Sequence, residues 1–206
     1  MSSPLRLVVG LGNPGRSYAA TRHNAGAWFV EALARSMDIA FRSESKFQAY
    51  VARGSQGGGD VRLLLPQTFM NLSGVSVAAL AQFYRIGVDE MLVAHDELDL
   101  KPGIVKLKFG GGTAGHNGLR DIGERMGSGS FWRLRLGIGH PRDQQGSDRQ
   151  VVDYVLQPPR SEEQTLIEAA ISRALSVWPR LQSGDAERAM HELHTRSETA
   201  ATDGKA

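Results

Sequence analysis

Short apolar runs of strand length alternate with longer runs of helical periodicity along nearly the whole chain. This alternation restricts the fold more than any other feature. "LRLVV" (Leu5–Val9) reads as a buried strand. "AGAWFVEALARSM" follows, with Trp28, Phe29, Ala32, Leu33 and Met37 at helical spacing. "FQAYVAR" and "VRLLLP" read as a strand pair joined by a loop that holds Gly57, Gly58 and Gly59. "LSGVSVAALAQFYRI" is a helix with Val77, Leu80, Ala81 and Tyr84 on one side, and "MLVAHDELDL" starts as a strand and becomes an acidic loop. "VKLKF" and "WRLRLGI" alternate with a period of two. Ser161 with Gln164 makes a capping-box start for a helix carrying Leu166, Ile167, Ala170, Ile171, Ala174 and Trp178. Pro179 should stop or kink that helix, and a shorter helix is expected after Asp185. The mixed order of elements fits one α/β sandwich. The expected domain covers residues 1–195, and 196–206 ("RSETAATDGKA") reads as a disordered tail.

Several chemistries are excluded by residue type or context. There is no cysteine, so disulfides and thiolate metal sites are ruled out. No apolar run is long enough to span a bilayer, and the N-terminus lacks a basic region followed by an apolar segment. A cytoplasmic location is therefore expected. Gly10, Gly12 and Gly15 spell G-x-G-x-x-G after the first strand, the pattern of a dinucleotide-binding turn. Such a turn should open a helix at once and be followed by an acidic residue ending a second strand. Here "RSYAATRHNAG" follows instead, the credible helix begins near Ala25, and Glu31 lies inside it. Asn13-Pro14-Gly15 reads as a tight turn that holds Asn13 at the end of the strand. No Ser lies in G-x-S-x-G, no Lys follows a glycine-rich loop as Walker A requires, and "HELH" at His191 is one residue short of H-E-x-x-H.

What remains is a set of polar residues at the ends of elements. They are Asn13, His23 with Asn24, Asn71, His95 with Asp96, and His116 with Asn117. In open α/β sheets the crevice at the carboxyl ends of the strands is the usual site. A His with a carboxylate partner forms a general-base pair, and Asn can both donate to a carbonyl and accept from an amide. Such a site suits water-mediated acyl transfer with neither a covalent intermediate nor a metal. Helix caps and turn formers are the plainer reading of each Asn taken alone.

Charge is close to balanced overall, 24 Lys and Arg against 22 Asp and Glu, but its distribution is uneven. Cations dominate from Lys101 to Arg142. In the alternating strands Lys106 and Lys108, and Arg133 and Arg135, fall on the side opposite the apolar residues. Cations two strand rises apart, about 7 Å, suit successive phosphates. A solvated sheet face is the alternative. "GGGTAGHNG" between the strands is rich enough in glycine to let backbone approach a ligand closely.

Together these residues resemble the bacterial-type peptidyl-tRNA hydrolase family. The resemblance runs in order through "GLGNPG", "YAATRHNAG", "PQTFMNLSG", "AHDELDL", "GGGTAGHNGLRDI" and "FWRLRLGIGHP", covering roughly Leu5 to Leu156. Ala114 stands where the family often has glycine, which bears on the shape of that loop. The resemblance implies a single-domain three-layer sandwich, a twisted mixed β-sheet flanked by helices. It implies hydrolysis of the ester between a peptide, or an N-blocked aminoacyl group, and the 3′ end of tRNA. This would recycle tRNA from prematurely released peptidyl-tRNA. His23 matches the family's catalytic base, Asp96 the carboxylate that keeps it basic, and Asn13 the residue that distinguishes an N-blocked substrate. Tyr18, Phe69, Asn71 and Asn117 match substrate-contacting positions, and Met70 and His116 line the same crevice. Lys106, Lys108 and Arg135 match cations that hold the tRNA acceptor end, including its 5′ phosphate. The implied partner is peptidyl-tRNA, engaged by a monomer with no cofactor, metal or membrane. A non-catalytic RNA-binding module and a nucleotide-dependent oxidoreductase are the rival readings.

Overall fold

A computed structural model describes residues 3–56, 59–143 and 150–203. Gly57 and Gly58 of the expected strand-joining loop, and the last three residues of the expected tail, lie outside them.

The chain opens with β1 (Leu7–Gly10), followed by α1 (Ala25–Ser36), β2 (Arg42–Glu44), β3 (Ala49–Gln56) and β4 (Gly59–Pro66). Then come α2 (Ser73–Tyr84), β5 (Met91–Glu97), β6 (Val105–Phe109), α3 (Asn117–Met126) and β7 (Trp132–Gly137). Four helices close it: α4 (Val151–Val155), α5 (Ser161–Ser176), α6 (Trp178–Gln182) and α7 (Ala186–Asp203). The described strands form one seven-stranded sheet in the order β2-β3-β4-β1-β5-β7-β6. β4, β1, β5 and β7 run parallel through its middle, while β3 and β6 pair antiparallel toward the two edges.

The central strands carry helices on both faces, which is why "LVV" and "MLVA" are continuously apolar. Neighbouring residues serve opposite cores. Val8, Leu63, Leu92 and Leu134 pack with Phe29 and Leu33 of α1, Ile167 of α5, Trp178 of α6 and Leu193 of α7. Leu7, Val9, Leu64 and Val93 pack with Val77 and Leu80 of α2 and with Leu119 and Ile122 of α3. Helix, sheet and helix thus make the three layers expected from the sequence.

The early glycines serve packing. A Cβ built on Gly26 would stand 2.1 Å from the Ala94 carbonyl oxygen, and one on Gly10 would stand 2.8 Å from the Gly26 carbonyl oxygen. The first turn of α1 therefore rests directly on β1 and β5. Gly15 has a φ of +98°, as the tight-turn reading requires.

The C-terminal region departs from expectation in two places. The capping interaction of α5 is shifted by one residue: the Glu163 carboxylate accepts from the Arg160 N–H at 2.9 Å, in place of a Ser161–Gln164 pair. Glu163 is drawn there because it also pairs with a buried arginine. Helix α7 continues through Asp203, across most of the segment read as a disordered tail. No proline or glycine interrupts it before Gly204, and two alanines favour continuation. Pro179 falls in the first turn of α6, just beyond the end of α5, where a proline is tolerated.

Candidate active site

The carboxyl ends of the parallel strands open into a cleft of about 890 Å³. It collects the sequence candidates from five separate segments. Asn13 follows β1, and His23 sits in a single 3-10 turn (Arg22–Asn24) that leads straight into α1. Phe69, Met70 and Asn71 belong to the turn before α2, Asp96 is the next-to-last residue of β5, and His116 caps α3. Tyr18 and Asn117 complete the set, and all nine of these side chains line the same cleft. The chain walls it further with Leu72, Leu98, Val151 and Val152.

Asp96 lies at the centre. Its side chain is 3% exposed, and Oδ1 accepts from His23 Nδ1 at 2.9 Å and from His116 Nε2 at 3.0 Å. Oδ2 stands 3.1 Å from the same His23 nitrogen. A carboxylate can only accept, so His23 carries its proton on Nδ1 and keeps the lone pair of Nε2. His116 is fixed from its other side, since its Nδ1 accepts from the Leu119 N–H at 3.4 Å. Burial works to lower the pKa of His23, but the charge and hydrogen bond of Asp96 outweigh it and the net shift is upward. Burial alone would raise Asp96; the two imidazoles hold it well below the usual carboxylate range. His95 is a different case. It is fully buried, donates from Nδ1 to the Asp96 carbonyl at 2.7 Å, and is pushed down to about 3 by burial and by His116. It stays neutral.

Asn13 is held by its backbone and by its side chain. Its N–H and C=O bond the Asn24 side chain at 2.9 and 3.0 Å, and its Oδ1 accepts from the Met70 N–H at 2.8 Å. With Oδ1 committed, the amide hydrogens of Asn13 are the groups left for a ligand. Asn117 is oriented in the same way, its Oδ1 accepting from Arg120 at 2.7 Å. Tyr18 and Phe69 meet edge to face with ring centres 6.2 Å apart.

His23, Asp96 and His116 bring ligand atoms within 4.8 Å of one another, close enough for a metal ion. Both imidazole nitrogens that face the carboxylate are hydrogen-bond donors, however, so the arrangement fits an ionised carboxylate that orients two imidazoles. A metal would have to displace two protons.

The basic strands divide by role. Lys106 pairs in register with Arg135 and Lys108 with Arg133, so all four cations share one face of the β6–β7 ribbon. Arg133 does not point to solvent as the alternation suggested. It is buried and donates to the carbonyls of Gly111, Gly112 and Gly129 at 2.7, 2.6 and 3.3 Å. It therefore pins the glycine-rich loop, whose carbonyls lie over it. Arg135 is engaged by Glu97 at 2.9 Å. Among the described residues neither Lys106 nor Lys108 has an ion pair. Ala114 in the loop adopts φ +47°, the left-handed conformation that glycine takes most readily.

Three residues of the site escaped sequence reasoning in these roles: Arg22, which precedes His23 and is the buried partner of Glu163, Asn24 as the brace of Asn13, and Arg133. No local pattern marks them, because their partners lie on other elements. The 3-10 turn itself gave one usable signal, a polar "TRHN" immediately before a strongly periodic helix.

A model of the peptidyl-tRNA hydrolase family matches residues 7–201. The chain belongs to the peptidyl-tRNA hydrolase family. The peptidyl-tRNA hydrolase of Nitrosospira multiformis is 54% identical over 195 residues, which is 95% of this chain and 100% of the relative. That of Nitrosomonas europaea is 54% identical over 198 residues, 96% of this chain and 100% of the relative. The crystal structure of peptidyl-tRNA hydrolase from Acinetobacter baumannii superposes with a TM-score of 0.88 at 49% identity, over 94% of this chain and 96% of that one. A crystal structure of a peptidyl-tRNA hydrolase with N-propanol gives 0.87 at 49% identity, over 92% and 94%. The family's hydrolase fold is thus present over nearly the full length, the C-terminal helices included.

Proposed function

We propose that this member of the peptidyl-tRNA hydrolase family cleaves the ester between a peptide and the 3′ end of tRNA by direct attack of water, with His23 as general base. The observation that carries the reading is the buried Asp96 oxygen shared by two imidazoles. It fixes the Nδ1–H tautomer of His23 and leaves Nε2 as acceptor in the cleft. Asp96 stabilises the imidazolium that forms when Nε2 takes the proton from water. The proton then passes to the departing ribose hydroxyl as the acyl–oxygen bond breaks. Asn13 and Asn117 line the cleft with their Oδ1 atoms already engaged, so the amide hydrogens of either are candidates to stabilise the negative charge that develops on the carbonyl oxygen. Tyr18, Phe69, Met70 and Asn71 line the substrate's path, with Leu98, Val151 and Val152 as an apolar wall for the peptide. Lys106 and Lys108, without an ion pair among the described residues, supply charge for phosphates of the acceptor end, and Arg135 joins them beside Glu97. Phosphate contacts carry no base information, so many tRNAs would be accepted. The site is complete within one chain, which supports action as a monomer. No helix of the described residues is long and apolar enough to cross a membrane, consistent with work in the cytoplasm, where this substrate arises.

The test is incubation with N-acetyl-aminoacyl-tRNA, with free aminoacyl-tRNA as control and chelator present. The blocked substrate is cleaved and the free one spared. His23→Ala lowers kcat by about 10²–10⁴-fold, the usual worth of a general base, with an unchanged circular dichroism spectrum. A variant that keeps nearly wild-type kcat would rule out His23 as the base. A module that only binds RNA would leave both substrates intact.

A further inference from the structure

Arg22 immediately precedes His23 and is buried, 3% exposed. Its Nη1 donates to the carbonyls of Tyr154 and Gln157, each at 3.2 Å, and its Nη2 donates to Glu163 Oε2 at 2.6 Å. Its Cζ stands 4.2 Å from the centre of the Tyr154 ring, and its own N–H donates to the Gln157 carbonyl at 3.1 Å. The far side of this junction is also fixed. Tyr154 donates its hydroxyl proton to the Ile138 carbonyl at 2.7 Å, beyond the end of β7. The same Glu163 oxygen accepts from Arg160 at the start of α5. Helix α4, gripped in this way, presents Val151, Val152 and Val155 to the cleft. One side chain therefore joins the turn that carries His23 to the helix that walls the cleft.

A buried ion pair is a poor source of stability, because desolvation offsets most of the attraction and apolar residues of similar volume often do as well. What a planar guanidinium provides is direction: several donors in a rigid fork that accept one geometry. We propose that Arg22 is a positioning residue for the hydrolytic reaction. It sets the angle of the His23 turn against the α4 wall, so that Nε2 points at an ester whose peptide lies along that wall. The inference rests on His23 being the general base.

The experiment compares wild type, Arg22→Met and Arg22→Lys by steady-state hydrolysis of N-acetyl-aminoacyl-tRNA and by proton NMR of the downfield His23 Nδ1–H resonance. Misplacement of a catalytic group by about 1 Å can cost 10²-fold. Arg22→Met is expected to lower kcat about 10–100-fold with KM within about threefold, and to shift or broaden that resonance. Arg22→Lys keeps the charge opposite Glu163 but loses the fork. It is expected to fold even if the methionine variant does not, and to lower kcat about 3–10-fold with the same spectral change. A folded variant with wild-type kcat overturns the proposal, as does a loss of kcat with the resonance unmoved, or a rise in KM alone. Failure of the general-base reading would show separately, as an active His23→Ala protein.

Discussion

Replacing Asp96 with asparagine tests the centre of the site. The carboxylate accepts two imidazole N–H groups at 2.9 and 3.0 Å, and its side chain is 3% exposed, so solvent screens it little. In Asp96→Asn the charge is gone, and the amide NH₂ competes for one imidazole and can turn His23 to the wrong tautomer. At an effective dielectric constant near 20, unit charges about 4 Å apart attract by about 4 kcal/mol. A hydrogen bond to a charged group contributes about 1.5–3 kcal/mol. The two describe the same contact and are not summed. A loss of about 3–4 kcal/mol in the transition state, where His23 is positive, corresponds to about 10²–10³-fold in kcat. The pH profile adds a sign. His23 must be neutral to act, and Asp96 raises its pKa, so the acid limb of wild-type activity lies above the ordinary histidine value. Removing Asp96 moves the limb to lower pH, and the deficit shrinks as the assay is made more acidic. Single-turnover hydrolysis of N-acetyl-aminoacyl-tRNA from pH 5.5 to 8.5 measures both effects. An asparagine variant within about threefold of wild type, with an unmoved acid limb, would refute the reasoning.

Stability should follow the opposite trend to activity. The raised pKa of His23 contributes stability that is full below about 6.5 and fades as pH rises through the native value, so denaturant midpoints of wild type and His23→Gln should converge toward alkaline pH. Lys106→Ala with Lys108→Ala should raise KM for peptidyl-tRNA, spare a short ester substrate and reduce the salt slope of binding by about two. Arg135→Ala should do less, because Glu97 already engages it. Ala114→Gly should raise stability by about 0.5–1 kcal/mol in chemical denaturation, since a Cβ at φ +47° is strained and the gain exceeds glycine's added unfolded-state entropy.

Periodicity carried the fold a long way. The central strands show as short, continuously apolar runs because both their faces are covered, and helices α1, α2 and α5 announce their buried side because burial on one face imposes its own repeat. The position of α1 was legible too, since "RSYAATRHN" has no helical pattern. Contacts between distant segments were not legible. His23 and Asp96 lie 73 residues apart, and nothing in their spacing brings them together; only the ordered set of motifs suggested it. Arg133 shows the limit most clearly. Its strand and face follow from alternation, yet its task depends on a glycine-rich loop folding back over it, which no local pattern encodes. The helix beyond Thr195 was missed because polar composition suggests disorder, whereas continuation from an established helix needs only the absence of a breaker.

The seat of α1 has a mechanical consequence. Where Gly26 meets the Ala94 carbonyl, helix and sheet touch main chain to main chain, and the imidazole three residues earlier inherits its height above β5 from that contact. Resizing a core side chain away from this seat and from the Arg22–Tyr154 junction leaves that main-chain spacing in place. A methyl group at position 26 would act like a shim under the whole turn.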